Sequence, residues 1–423
     1  PPSYAVRRAG QDSAWMWAFR SIQNAGKLVW VDDDTRTFLA GEADYTPAIT
    51  LEQTRQVLRR NFAKAVCCLC PQGFLSINSG RELDHPNIAE DLRAIRRAGD
   101  YALAHDTKRK AEIAVVVDED SVKYLALDGA RLPSGEVDPV VAWNGDARLS
   151  ERTVNTLTGD LIGYQRDRIA RIGAPVDYLL FSDFVAHDFD YKCYLMLSCF
   201  HYDDALRDAV QEKIYARGAT ALWCYAPGFI HDGIADAANM ESLTGIRFAM
   251  RVPPARPRID LVDLAHPFFN GASGATSFGV EYAFAPLFHA NDPEATTLGV
   301  YSDTGLSALA VKQVGQGRSV FCGSNKLTTS LMRGIARAAG VHIYSDSDDP
   351  FEANEQFLLL HTSTDGKKTI ALPEAADVMD VFTGEIIAKN AETFTVDVPK
   401  ERTCFWFIGD ADDFANEDHP GKP

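Results

Sequence analysis

Polar and apolar positions along the chain repeat with two different periods. In "NIAEDLRAIRRAGDYALA" (87–104), Ile88, Leu92, Ile95 and Ala102 fall on one face at helical spacing, which predicts an amphipathic helix. "DSAWMWAFRSIQN" (12–24) and "TLEQTRQVLRRNFAKA" (50–65) also read as helices. "KLVWV" (27–31) and "VCCLC" (66–70) are short apolar runs of the buried-strand type. Strands alternating with helices imply a parallel sheet. Two strands make neither a barrel nor an independent sheet, so this stretch reads as the end of a larger α/β unit.

A second α/β series follows. "EIAVVVDED" (112–120) is a buried strand running into acids, and the helix "RTVNTLTGDLIGYQRDRIARIG" (152–173) comes after a Gly/Pro/Asp-rich loop. "VDYLLFS" (176–182), "YKCYLMLSCF" (191–200) and "TALWCYAP" (220–227) read as strands. Between the last two lies a helix over 203–218, with Asp203 as its N-cap and Gly218 just past its end. "TLGVYS", "SALAVKQV", "SVFCG" and the helix 328–340 close the series, which has the pattern of a doubly wound sheet. Beyond residue 343 the character changes. "QFLLLHTS", "KKTIALP", "DVMDVFTG", "ETFTVDVP" and "TCFWFIG" are short strands broken by turns, the signature of a small antiparallel β domain, and the acidic tail after it reads as frayed.

Length and charge narrow the function. A chain of 423 residues holds two or three domains. A net charge of −17 argues against a nucleic-acid partner, which needs clustered Lys and Arg. The longest apolar runs are strand-sized, so no membrane span is expected. The eight cysteines sit in apolar contexts and read as buried thiols of a reducing compartment, cytoplasmic by expectation. Cys67, Cys68 and Cys70 lack the spacing and the second ligand pair of a metal site, and neither a metal nor a cofactor is expected.

One stretch asks a chemical question. "GKLVWVDDDTRTFL" (26–39) drives a strand into three aspartates. Either Asp32, Asp33 and Asp34 form a solvated strand tip, or one of them presents a carboxylate to a substrate. Alternation puts Asp33 on the side of Val29 and Val31, and Asp32 on the side of Leu28 and Trp30.

Four further stretches carry a family resemblance: "RIGAPVDYLLFSDF" (171–184), "WCYAPGFIHDG" (223–233), "MESLTGIRF" (240–248) and "AGVHIYSDSDDPFEANEQFLLLH" (339–361). Together with "VMDVFTGEII" (378–387), their order resembles the C-terminal part of glycoside hydrolase family 42 β-galactosidases and related bacterial glycosidases. The resemblance implies an α/β chain in three parts: the end of a (β/α)8 barrel over 1–108, a flavodoxin-like doubly wound domain of the trimer-forming kind over 109–342, and an antiparallel β domain over 343–412, with 413–423 as a tail. It implies a retaining hydrolase of β-galactosides or related β-glycosides, a carbohydrate as substrate and a homotrimer as the assembly. "KLVWVDD" and "AVCCLC" would be barrel strands seven and eight, and the acid/base carboxylate would lie upstream of this chain. The family's nucleophile is a glutamate at the end of strand seven. Asp33 aligns best with it here and Asp32 is the runner-up.

Barrel active sites open at the C-terminal ends of the strands, and retaining glycosidases need two carboxylates roughly 5–5.5 Å apart. An aspartate is one methylene shorter than the family's glutamate. On the same reading Arg36 would hold a carboxylate ionised, while Phe74, Asn78 and His85 would line the sugar. Each has an ordinary reading beside it: Arg36 as a surface ion pair, Phe74 as core, His85 as a helix-entry residue. Two rivals remain. Cys199 in "MLSCFHYDD", with His201 nearby, invites comparison with glutamine amidotransferases, although the glycines of a nucleophile elbow are missing. A non-catalytic scaffold derived from such a hydrolase is the other. No glycine-rich nucleotide motif is present.

Overall fold

The computed structural model describes residues 8–13, 15, 17–40, 50–75, 81–124, 156–270 and 276–416. Its centre is a nine-stranded mixed sheet. Five parallel strands form one side: Ile113–Val117, Val176–Leu180, Cys193–Met196, Thr220–Cys224 and Gly317–Cys322. Numbered along the chain, they lie in the order 2-1-3-4-5. Four antiparallel strands (Ser307–Val314, Thr296–Tyr301, Ile259–Leu261 and Ser277–Phe278) extend the sheet beyond Gly317–Cys322.

The parallel strands read as unbroken apolar runs because both faces are covered. Ile113 and Val115 enter one core with Leu195, Leu222 and the helix Thr329–Ala338. Ala114 and Val116 enter the other with Tyr194, Met196, Trp223 and the helix that starts at Asp204. Asp203 caps that helix as expected, its Oδ1 accepting from the Leu206 amide at 2.8 Å. Gly218 has the left-handed φ of +79°. The helix expected over 152–173 occupies 156–169, with a π-helical stretch at Gly159–Tyr164, and residues 152–155 lie outside the described set.

A separate five-stranded antiparallel sheet follows, in the order Phe351–Ala353, Phe357–His361, Thr403–Gly409, Gly366–Asp380, Ile386–Val398. "KKTIALP" and "DVMDVFTG" belong to one long strand, Gly366–Asp380, whose register shifts between Ala371 and Ala376. Pro373 sits inside that shift, where its missing N–H breaks no ladder bond. The tail is ordered further than its composition suggests. Ala411–Asn416 is helical, and Phe414 stacks on Phe407 with centroids 4.6 Å apart.

The first hundred residues form a β–α–β unit. Val31–Asp33 pairs in parallel with Gln72–Phe74, and the helix Leu51–Cys67 connects them. This corrects the strand expected at 66–70. Those residues end the helix, Cys67 and Cys68 are fully buried, and Leu69 turns the chain with φ +55°. A short apolar run fits the buried end of a helix as well as a strand, and periodicity does not separate the two. The helix expected over 12–24 is limited to Phe19–Asn24. Helix Pro86–Ala104 then packs beside Leu51–Cys67 and, through Ala98, Tyr101 and Ala102, against Phe357, Phe405 and Phe407 of the five-stranded sheet. All eight cysteines are free and buried.

Candidate functional site at the strand ends

Strand Val31–Asp33 has two different faces. Val29, Val31 and Asp33 are buried, while Leu28 and Trp30 are 73% and 58% exposed. The alternation is the one expected, but the crossover helix lies on the Asp33 side. Val29 and Val31 pack with Ala65 and Cys68 at the end of that helix. The face that carries Asp33 is thus the one the crossover helix covers.

The Asp33 carboxylate is fully buried and accepts three hydrogen bonds. Oδ1 accepts from the Thr35 amide at 2.9 Å. Oδ2 accepts from Asn61 Nδ2 at 3.0 Å and from Gln72 Nε2 at 2.9 Å. Asn61 is itself fixed, since Arg60 donates to its Oδ1 from Nε and Nη2 at 3.0 and 2.9 Å. Burial lowers the Arg60 guanidinium to about 10, so it remains a cation at neutral pH. Such a network holds a strand tip against a helix; it leaves Asp33 no lone pair aimed at solvent.

Asp32 differs in every respect. It is half-buried on the face shared with Trp30, opposite Gly73 of the neighbouring strand. A Cβ at Gly73 would strike the Trp30 ring, so that glycine lets the indole lie across the sheet. The Asp32 carboxylate has no hydrogen bond or ion pair among the described residues.

The remaining candidates are dispersed. Asp34 and Arg36 are buried, with Arg36 Nη1 donating to the Asp34 carbonyl at 3.2 Å. The surface ion pair is therefore not the state of Arg36. Phe74 is half-buried opposite Asp33. His85 caps helix Pro86–Ala104, its Nδ1 accepting from the Asn87 amide at 3.2 Å. Asn78 lies outside the described residues. Asn61, Arg60 and Gln72 were not legible as site residues. For Arg60 and Asn61 the one signal is the polar run "RRN" (59–61), enclosed in a helix where burial calls for apolar side chains; Gln72 has none.

The cysteine rival is not supported by its surroundings. Cys199 is 1% exposed, and burial pushes its thiol well above the ordinary range, so it stays protonated. His201 stacks on Tyr124 at 5.2 Å rather than pairing with it.

No family model matches the sequence, and no curated protein matches it. Solved structures do. The β-galactosidase from Bacillus circulans sp. alkalophilus is 14% identical with a TM-score of 0.55, over 84% of this chain and 52% of that one. The β-galactosidase from the Antarctic haloarchaeon Halorubrum lacusprofundi is 13% identical with a TM-score of 0.54, over 92% and 54%. A catalytic mutant of the GH42 β-galactosidase from G. stearothermophilus gives 14%, 0.53, 85% and 51%. The likeness is one of fold. This chain spans about half the length of each of these enzymes. Among the described residues no helix is long and apolar enough to cross a membrane.

Proposed function

We propose that this chain is the C-terminal half of a retaining glycoside hydrolase acting on β-galactosides or related β-glycosides, and that Asp32 is its nucleophile. One observation carries the reading: at the C-terminal end of a parallel strand pair, a carboxylate with no partner among the described residues stands on the face opposite the crossover helix. The fold shared with β-galactosidases supports it. In this reading the open face with Leu28 and Trp30 is the inner face of a barrel, and further strands complete it. The acid/base carboxylate comes from that other part. Residues 109–342 form the flavodoxin-like domain that assembles a homotrimer, and 343–412 form the terminal β domain.

Asp32 attacks the anomeric carbon as the acid/base residue protonates the departing oxygen, and water then releases the sugar from the ester. Asp33 acts through position: its three hydrogen bonds fix the strand tip and so the reach of Asp32. The test uses the polypeptide with a completed barrel and an aryl β-galactoside. Asp32→Gly is expected to lose at least about 10³-fold in kcat and to regain turnover with azide as an α-galactosyl azide, because an external nucleophile fills the gap. Full activity in Asp32→Gly would overturn the assignment. Full-length protein that hydrolyses no glycoside would favour the scaffold reading.

A further inference from the structure

A second candidate site lies on another sheet from the aspartates, at the N-terminal ends of strands Ile113–Val117 and Val176–Leu180. A cavity of about 300 Å³ opens where the nine-stranded sheet meets the five-stranded one. That is the lower end of the range for small-ligand pockets. Ala174, Pro175 and Val341 give it an apolar wall, and Pro373 reaches over from the second sheet. Lys110, Glu112, His342 and Tyr344 supply its polar groups.

These polar groups are held in place. Glu112 pairs with Lys192 and accepts from the His342 amide through Oε2 at 2.8 Å. The His342 ring is tied through Nε2 to the Ala371 carbonyl at 3.0 Å, which joins the two sheets. Lys110 pairs with Glu355 at 3.3 Å. Tyr344 is wedged between His342, edge-on at 4.5 Å, and Phe351, stacked at 5.1 Å. Its hydroxyl has no hydrogen-bond partner among the described residues and is not shut off from solvent, although the rest of the side chain is buried. Burial, and after it the Glu112 charge, push that hydroxyl up to about 12, so it remains a donor at neutral pH.

The charges are paired off, so the site offers hydrogen bonds rather than net charge. A fixed phenol donor, a carboxylate acceptor and an ammonium beside an apolar wall match a ligand with several hydroxyls on one side and C–H groups on the other. We propose that this cavity is a non-catalytic binding site for a small polyhydroxylated molecule of monosaccharide size, with Tyr344 and Glu112 as its hydrogen-bonding pair. The site stands on this chain alone and is independent of the assignment of Asp32.

The probe is D-galactose, titrated into the full chain and followed by the methyl resonances of Val341 and Ala174. Saturable shifts with a millimolar dissociation constant are expected. Tyr344→Phe removes only the hydroxyl and is expected to weaken binding about fivefold, the worth of one net hydrogen bond. Glu112→Gln is expected to weaken it by at least as much, and Asp32→Asn to leave it unchanged. Circular dichroism and thermal midpoints establish that each variant is folded. Non-saturating shifts, or equal affinity in folded Tyr344→Phe, would overturn the proposal.

Discussion

Asp33 and Asp32 are neighbours with opposite obligations. Asp33 answers three donors, and replacing it by Asn puts an NH2 where one of the two acceptor oxygens stood, so the Thr35 amide, or Gln72 Nε2 and Asn61 Nδ2, then face another donor. Leaving buried donors unmatched costs about 1–3 kcal/mol. Asp33→Asn should lower the stability read from urea denaturation by that amount, whereas Asp32→Asn, with no partner to lose among the described residues, should stay within about 0.5 kcal/mol. Equal effects would mean that the two side chains are not separated as described. The sequence carried half of this contrast. Alternation alone divides Val29, Val31 and Asp33 from Leu28, Trp30 and Asp32. Which set is covered depends on where the crossover helix lands, and that follows from the tertiary packing of Ala65 and Cys68 on Val29 and Val31. The apolar residues Leu28 and Trp30 would have been the obvious choice for the helix side, yet they stand exposed.

Elements were most legible where burial is complete on both sides. "AVVV", "YLM" and "LWC" lie in the parallel sheet because a strand with two covered faces has no polar alternation to lose. Strand Gln72–Phe74 was illegible, since Gln-Gly-Phe has little strand preference and owes its place to pairing with Val31–Asp33. Helix Thr329–Ala338 shows a third case, where sequence preference points the wrong way. Gly334 lies in its interior, and elsewhere Gly→Ala in a helix gains up to about 1 kcal/mol. Here an added Cβ would land on the carbonyl oxygen of Phe268, in the turn Pro267–Phe269 that packs across the helix. That atom is backbone and has no rotamer to escape through. Gly334→Ala is therefore expected to destabilise by about 1–3 kcal/mol, the usual cost of overpacking. Thermal denaturation showing a gain instead would mean that the turn yields without cost.

At the scale of the whole molecule the regions meet on one side chain. Arg109, between helix Pro86–Ala104 and strand Ile113–Val117, has a side chain only 2% exposed. It pairs with Asp177 and donates to the Val176 carbonyl at 2.8 Å, both on the edge strand of the nine-stranded sheet. It reaches Glu352 Oε1 at 3.0 Å in the five-stranded sheet, and the Cys67 carbonyl at 3.2 Å at the end of the crossover helix. Removing the cation takes the ion pair from buried Glu352 and leaves Asp177 with Arg20 and the Tyr191 hydroxyl, and breaking a buried pair in this way costs about 3–5 kcal/mol. Arg109→Met should lose that much at pH 7 and should separate the unfolding of the two sheets into resolvable steps. The deficit should also depend on pH. Burial raises the Glu352 carboxyl above its ordinary 4.5 even with Arg109 opposing the shift. Without Arg109 the carboxyl rises further, so the folded variant binds a proton that its unfolded chain does not. Folding coupled to proton uptake is favoured as pH falls. The difference in stability between wild type and Arg109→Met should then shrink on going from pH 7 toward 4.5, and taking that difference at each pH cancels titrations common to both proteins. A deficit that stayed constant or grew in acid would mean that the loss comes from packing and not from uncompensated charge. Arg109→Met combined with Glu352→Gln separates the two causes at pH 7, because the neutral amide should restore part of the loss only if charge is responsible.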